Sequence, residues 1–203
     1  MALTEAQQIV TLIESLTDFY WREVRQCGYG HMGATLTDAG LQAGVNYEHV
    51  VVPRVERILA LWPEAGTTSS FLGEIQRSGL GDMLEWKHPE KPRRIQDMAV
   101  LLQYQGVETE AELAEWLSVP ESSDLLRSIR GVGPKTFDYL CSLVGRPAIA
   151  IDRHLLTFAS WAGVTARPYD EMATIFQAAA HLLDVEYVTL DRTVWEYVRQ
   201  SSQ

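Results

Sequence analysis

Cysteine is nearly absent from this chain: Cys27 and Cys141 are the two thiols among 203 residues. Two thiols build no disulfide scaffold and cannot supply the four thiolates of an iron–sulfur cluster, and they suit a reducing, cytoplasmic setting. Basic charge is also scarce. Seventeen Lys and Arg stand against 27 Asp and Glu, a formal net charge of −10, which argues against nucleic-acid binding driven by total charge. No apolar run approaches the ~18 residues that cross a bilayer, so no membrane span is expected. Met1-Ala2-Leu3-Thr4-Glu5 carries no basic segment, so no secretory signal is expected. Long apolar–polar alternation is missing as well. Val50-Val51-Val52 and Ala148-Ile149-Ala150-Ile151 are the only β-like runs, and both are short. There is no internal repeat and no low-complexity tract.

What the chain does have is helical periodicity. Hydrophobic residues make up 46% and charged residues 22%, the balance of a globular protein. At ~150 residues per domain there is room for one domain or two small interleaved lobes. Thr4 and Gln7 have the form of a capping box, and Ile9, Ile13, Leu16, Tyr20 and Val24 continue one stripe towards Cys27-Gly28. Gly28, Gly30 and Gly33 mark a loop, after which Thr37 or Asp38 caps a short helix through Leu41. Asn46 caps a helix carrying Val51, Val55, Ile58, Leu59 and Trp62, with Pro53 in its first turn or bending it. Further helices are predicted over 67–76, 81–86, 92–104, 110–117, 122–129, 135–144, 152–162, 169–183 and 188–200. The fold class is all-α.

The stretch from Leu125 to His154 carries the chemistry. Two helices meet at Gly131-Val132-Gly133, a connection tight enough to need glycine. These glycines also let a phosphate approach the backbone. Pro134 pre-sets the first turn of the second helix, whose free N–H groups and positive dipole end attract an anion, and Val132 anchors the turn in the core. A glycine-rich corner between helices is also a common purely structural device. The phosphate loop of nucleotide-binding proteins is excluded, because Ile129 and Pro134 stand where it needs glycine. The dinucleotide fingerprint fails at Thr136. A helix-hairpin-helix survives.

Ile129-Arg130-Gly131-Val132-Gly133-Pro134-Lys135-Thr136, followed by Pro147-Ala148-Ile149-Ala150-Ile151-Asp152-Arg153-His154, resembles the helix-hairpin-helix/Gly-Pro-Asp superfamily of base-excision DNA glycosylases. The endonuclease III and 8-oxoguanine glycosylase branches are the most similar. The match covers roughly 30 residues and joins three features, namely hairpin, lysine and delayed aspartate. It implies a two-lobed helical glycosylase fold. Residues 34–145 would form a helical barrel with the hairpin, and 1–33 plus 146–203 the other lobe, with Lys135 and Asp152 facing each other across a cleft. Lys135 would then be a Schiff-base nucleophile, making the enzyme a bifunctional glycosylase and abasic-site lyase. Many endonuclease III relatives bind an iron–sulfur cluster through four C-terminal cysteines, and no cysteine follows Cys141 here. Neither a metal nor an organic cofactor is implied. The implied partner is damaged double-stranded DNA, the implied state a monomer, and the implied location cytoplasmic, or nucleoid-associated in a bacterium.

Chemistry gives each residue its reason. Base removal leaves positive character on the sugar, which the Asp152 carboxylate stabilises, and the same carboxylate helps deprotonate a nucleophile. Lys135 attacks C1′ only as the neutral amine, a form that burial favours. Asp152 also suits a plain helix N-cap. Arg130, Thr136 and Arg153 are candidate phosphate contacts together with the hairpin residues Gly131, Val132 and Gly133. His154 packs near Asp152 or touches the strand. Gln42 is the candidate to fill the gap left by the flipped base, since the scissile bond is inaccessible within a stacked duplex. Tyr20, Trp21, Tyr29, Tyr47, Trp161 and Trp195 are candidate walls of a base pocket.

Charge is segregated along the chain. Arg127, Arg130, Lys135, Arg146 and Arg153 gather around the hairpin, and Lys87, Lys91, Arg93 and Arg94 form a second basic group. Glu108, Glu110, Glu112, Glu115, Glu121 and Asp124 form an acidic stretch between the two, as a solvated back would. Three readings stand: a bifunctional or monofunctional glycosylase, a non-catalytic DNA-binding hairpin protein, and a helical interaction scaffold. Lys135 with Asp152 separates the first two, since a pure DNA binder needs neither in register.

Overall fold

A computed structural model describes residues 4–22 and 28–201. Among the described residues every regular element is helical, and the chain divides into two compact units, residues 27–146 and residues 1–26 with 147–203. The continuous unit holds α2 (Met32–Leu41), α3 (Val52–Leu61), α4 (Thr68–Ser78), α5 (Leu80–Met83), α6 (Glu90–Tyr104), α7 (Glu110–Trp116), α8 (Glu121–Arg127) and α9 (Pro134–Leu143). The discontinuous unit holds α1 (Glu5–Ser15), α10 (Arg153–Trp161), α11 (Tyr169–Leu183) and α12 (Tyr187–Ser201).

In the continuous unit α2 is the hub, packed by α3, α4, α6 and α9. Every residue of α2 is buried, so it shows no polar face. Gly40 lets α6 close on it, because a Cβ there would collide with Ile95. Leu36, Leu41, Ile58, Phe71, Ile95, Met98 and Leu102 are fully buried around this helix, each stabilising the unit by about 1.5–3 kcal/mol.

Capping differs from the sequence expectation here. The helix starts at Met32, not after Thr37 or Asp38, and its N-cap is His31. His31 Nδ1 accepts from the Ala34 N–H at 3.1 Å, which leaves its Nε2–H to donate to the Trp62 carbonyl at 2.9 Å. The Glu110 carboxylate then accepts from the Tyr29 and Gly30 N–H groups at 3.0 and 2.8 Å and from the Thr35 hydroxyl. A distant carboxylate therefore fixes the entry to α2, and Gly33 lies inside the helix rather than in the loop. Asn46 does cap the next element, but that element opens as a π turn, Tyr47–Val51. Val52 N–H reaches back to the Tyr47 carbonyl immediately before Pro53, which has no N–H to donate.

In the discontinuous unit α1 packs on α11, and α10 on α12. Ile9, Leu155, Phe158, Phe176, Leu190 and Val194 form its centre. The Thr4–Gln7 capping box is present. The first helix is shorter than its periodicity suggests, ending at Ser15 instead of near Cys27. The chain turns at Thr17-Asp18, and Phe19 joins an aromatic cluster 5.3 Å from Tyr197 and 5.9 Å from Phe158. Tertiary packing outweighs local helix propensity there. Val24 and Cys27 lie outside the described residues.

The run Ala148-Ile149-Ala150-Ile151 is buried, yet belongs to no helix or strand. Side chains satisfy two of its N–H groups: Asp191 Oδ2 accepts from Ala150 at 2.9 Å, and the Tyr169 hydroxyl from Ile151 at 3.3 Å. The segment leading to Asp152 is thus tied to α11 and α12.

Candidate functional site

The hairpin lies between α8 and α9. Gly131 has φ +86°, the left-handed conformation that favours glycine, whereas Gly133 has an ordinary φ of −108° and serves as N-cap of α9. A side chain at Gly131 would run into the Arg94 guanidinium, whose Nε donates to the Arg130 carbonyl at 3.4 Å. Val132 and Thr136 are buried and hold the turn from beneath. Arg130 is exposed and ion-paired with Glu90 at 3.2 Å.

Lys135, in the first turn of α9, donates from Nζ to Gln42 Oε1 at 2.6 Å. Gln42 is the C-cap of α2 and is buried. Two more cations converge on the same end of that helix. Lys91 Nζ donates to the carbonyls of Leu41 and Ala43 at 2.5 and 2.6 Å, and Arg94 Nη1 to that of Gly40 at 3.4 Å. Such contacts complement the negative end of the helix dipole. Burial, and then the charges of Arg94 and Lys135, push the Lys91 ammonium down to about 8. Lys91 also sits 5.1 Å above the Trp86 ring, and Arg54 at the same distance. The other two members of this basic group, Lys87 and Arg93, line an open groove of about 310 Å³ with Trp86, Pro89 and Gln96.

One turn along α2 from Gln42 sits Asp38, wholly buried. Its Oδ2 accepts from the hydroxyls of Tyr29 and Tyr47 at 2.6 and 3.0 Å, and its Oδ1 from that of Tyr139 at 3.0 Å. Burial first, and then the Asp38 charge, raise all three phenols above their ordinary value. Sequence reasoning missed this cluster, treating Asp38 as a helix cap and Tyr29 and Tyr47 as pocket walls. The matched four-residue spacings, 38 with 42 on α2 and 135 with 139 on α9, were the available signal.

In the other unit Asp152 is the N-cap of α10, Oδ1 accepting from the His154 and Leu155 N–H groups at 2.8 and 3.1 Å. Its Oδ2 lies 3.0 Å from His154 Nδ1, so imidazole and carboxylate form a bonded pair. The Asp152 side chain retains 14% exposure. Trp195 meets the His154 ring edge-on at 5.7 Å, and Arg192 and Arg199 stack on that indole at 5.0 and 4.8 Å. Arg153 is exposed on the first turn of α10. Trp161 and Tyr20 belong to the same unit and are also exposed.

Cys141 is buried, which pushes its thiol up to about 11 and makes it a poor nucleophile. Among the described residues no three His, Cys, Asp or Glu side chains group as a metal site, and no helix is long and apolar enough to cross a membrane.

Comparison with known proteins adds three findings. A family model described as a domain of unknown function (DUF8548) matches residues 85–199, a span that includes the hairpin, Lys135 and Asp152. No curated protein matches the chain. The crystal structure of H. pylori 3-methyladenine DNA glycosylase (MagIII) bound to 1,N6-ethenoadenine is similar over 98% of this chain and 97% of that one, with a TM-score of 0.68 at 15% identity. At that identity the likeness establishes the fold alone, which is the all-helical helix-hairpin-helix glycosylase fold.

Proposed function

The chain belongs to the family described as a domain of unknown function (DUF8548), and we propose that it is a base-excision DNA glycosylase with an associated abasic-site lyase step. The observation that carries the reading is Lys135, placed immediately after the hairpin and held at Nζ by Gln42. A lysine that merely dressed the surface of a helix would not need a buried carboxamide to orient it. One protein of known structure that shares this fold is a 3-methyladenine DNA glycosylase, solved bound to 1,N6-ethenoadenine.

Each residue takes one task. Asp152 spends Oδ1 on the helix cap and keeps acceptor capacity on Oδ2 beside His154, so it presents a fixed carboxylate to a sugar that is becoming cationic. Lys135, deprotonated, attacks C1′ as the base departs with the electrons of the glycosidic bond. Loss of the ring-oxygen bond gives a Schiff base; removal of a C2′ proton then expels the 3′-phosphate, and water releases the amine. The N–H groups at the start of α9, with Gly131 and Gly133, cradle a phosphate while Val132 and Thr136 anchor the turn. Arg130 exchanges Glu90 for a second phosphate, and Arg153 grips the strand beside Asp152.

Borohydride trapping on duplex oligonucleotides bearing an abasic site and a panel of base lesions tests the reading. A covalent adduct lost in Lys135→Ala is the expected result. Base release without any adduct would assign a water nucleophile and leave Lys135 a positioning role. Binding with neither release nor nicking on any lesion would reduce the protein to a DNA-binding module.

A further inference from the structure

Gln42 has two heads, and only one of them is used. Its Oε1 takes the Lys135 bond at 2.6 Å. Because a lysine ammonium donates and never accepts, the atom facing Lys135 is the carboxamide oxygen, which fixes the other head as Nε2. That Nε2 is buried without a hydrogen-bond partner, although the residue is only 9% exposed. A buried amide donor left unmade is destabilising, and native chains rarely keep one without a use for it. The adjoining carbonyls of Gly40, Leu41 and Ala43 already accept from Arg94 and Lys91.

We propose that Gln42 is a catalytic residue whose Nε2 donates to the acceptor atom flanking the glycosidic bond of the departing base, O2 of a pyrimidine or N3 of a purine, while Oε1 holds Lys135. The inference rests on the glycosylase reading, in which Lys135 reaches C1′. The two heads of one carboxamide share a single carbon, so Nε2 stays beside the reacting sugar. Two acceptors flank the breaking C1′–N bond and change charge as it breaks, the ring oxygen and the base. A donor to the ring oxygen would drain electrons from a sugar that is turning cationic and slow the reaction. A donor to the base stabilises the negative charge it gains as the C1′–N bond breaks. The setting agrees, because Lys91 and Arg94 favour an acceptor that is gaining negative charge. The electron pair passes to the base, and the proton stays on Gln42.

The test uses Gln42→Met and Gln42→Leu, which remove both heads at similar volume. Thermal midpoints close to that of the wild type are expected, since loss of the unmade buried donor offsets loss of the bond to Lys135. Single-turnover base release, on whichever lesion the wild type excises, should fall about tenfold further than trapping at a preformed abasic site, which has no base to receive the bond. Affinity for a duplex carrying a tetrahydrofuran abasic analogue should stay within about twofold; where the wild type releases bases without trapping, this affinity serves as the baseless control. Equal losses of release and trapping would make Gln42 only a holder of Lys135 and overturn the proposal, as would unchanged release. A wild-type protein inactive on every lesion and on abasic DNA would instead overturn the glycosylase reading, and this inference with it.

Discussion

Tyr139 donates its hydroxyl proton to Asp38 Oδ1 at 3.0 Å, one helical turn from the bond between Lys135 and Gln42. Residues four apart on α2 thus meet residues four apart on α9, like two rungs of a ladder. A slip of one helix along the other would break both rungs and move the Lys135 amine.

Removing the tyrosine rung should therefore cost both stability and activity. Tyr139→Phe takes one donor from a buried carboxylate and is expected to destabilise the protein by about 1.5–3 kcal/mol in denaturant titration, with slower trapping at abasic sites. The same cluster sets an alkaline limit. The phenols of Tyr29, Tyr47 and Tyr139 lie above 10.0 in the folded protein. Folding therefore retains protons that the unfolded chain releases, so their contribution is complete below about pH 10 and is lost as pH climbs through the raised folded values. Absorbance of ionised tyrosine should lag behind that of a denatured control; simultaneous titration would contradict it.

Capping and catalysis separate at Asp152. Asparagine caps helices about as well as aspartate, so Asp152→Asn should change stability by less than about 1 kcal/mol, whereas Asp152→Ala should cost about 0.5–2 kcal/mol. Both variants lose the carboxylate, and base release should fall at least about 100-fold in each. Activity that followed stability instead would leave Asp152 a cap alone.

The two hairpin glycines should respond unequally to alanine. At Gly131 a Cβ meets both a left-handed backbone and the Arg94 guanidinium, so Gly131→Ala is expected to cost about 1–3 kcal/mol and to weaken DNA binding. At Gly133 φ is −108° and nothing lies within 4 Å of an added Cβ, so Gly133→Ala should fold normally. Any binding loss at Gly133 then reports phosphate approach rather than folding. Differential scanning fluorimetry and an anisotropy titration distinguish the two effects.

Lys91 titrates near 8 in the folded protein against 10.5 in a free chain. The unfolded chain binds the extra proton between these values, so stability relative to Lys91→Met should rise with pH across that window. Acylation mapped by mass spectrometry should also mark Lys91 ahead of the exposed Lys87 near pH 8. A fall in relative stability over the window would contradict the assignment.

The hairpin was legible in sequence because glycine and proline act locally: Gly131 and Pro134 dictate their turn whatever surrounds them. Asp152 was legible for the same reason, as a capping residue before a periodic run. The helix α2 was not. Buried on every side, it has no apolar stripe to detect, and its start depends on Glu110, some eighty residues away in sequence. The long reading of α1 failed where Phe19 left the helical register to reach Phe158 and Tyr197, contacts that periodicity does not encode. The partners of Asp38 were hidden likewise, because three tyrosines scattered between positions 29 and 139 converge only once α2 and α9 are packed.

The division of the chain also orders its assembly in time. Residues 27–146 form an uninterrupted unit, whole as soon as position 146 has left the ribosome. The unit that carries Asp152 has no such freedom, since α1 precedes residues 27–146 in the chain and packs on α11, which follows them. The apolar stripe of α1 gains its α11 partner only after the whole intervening unit has been made. A newly made chain therefore acquires its hairpin and Lys135 before the unit bearing Asp152 can close.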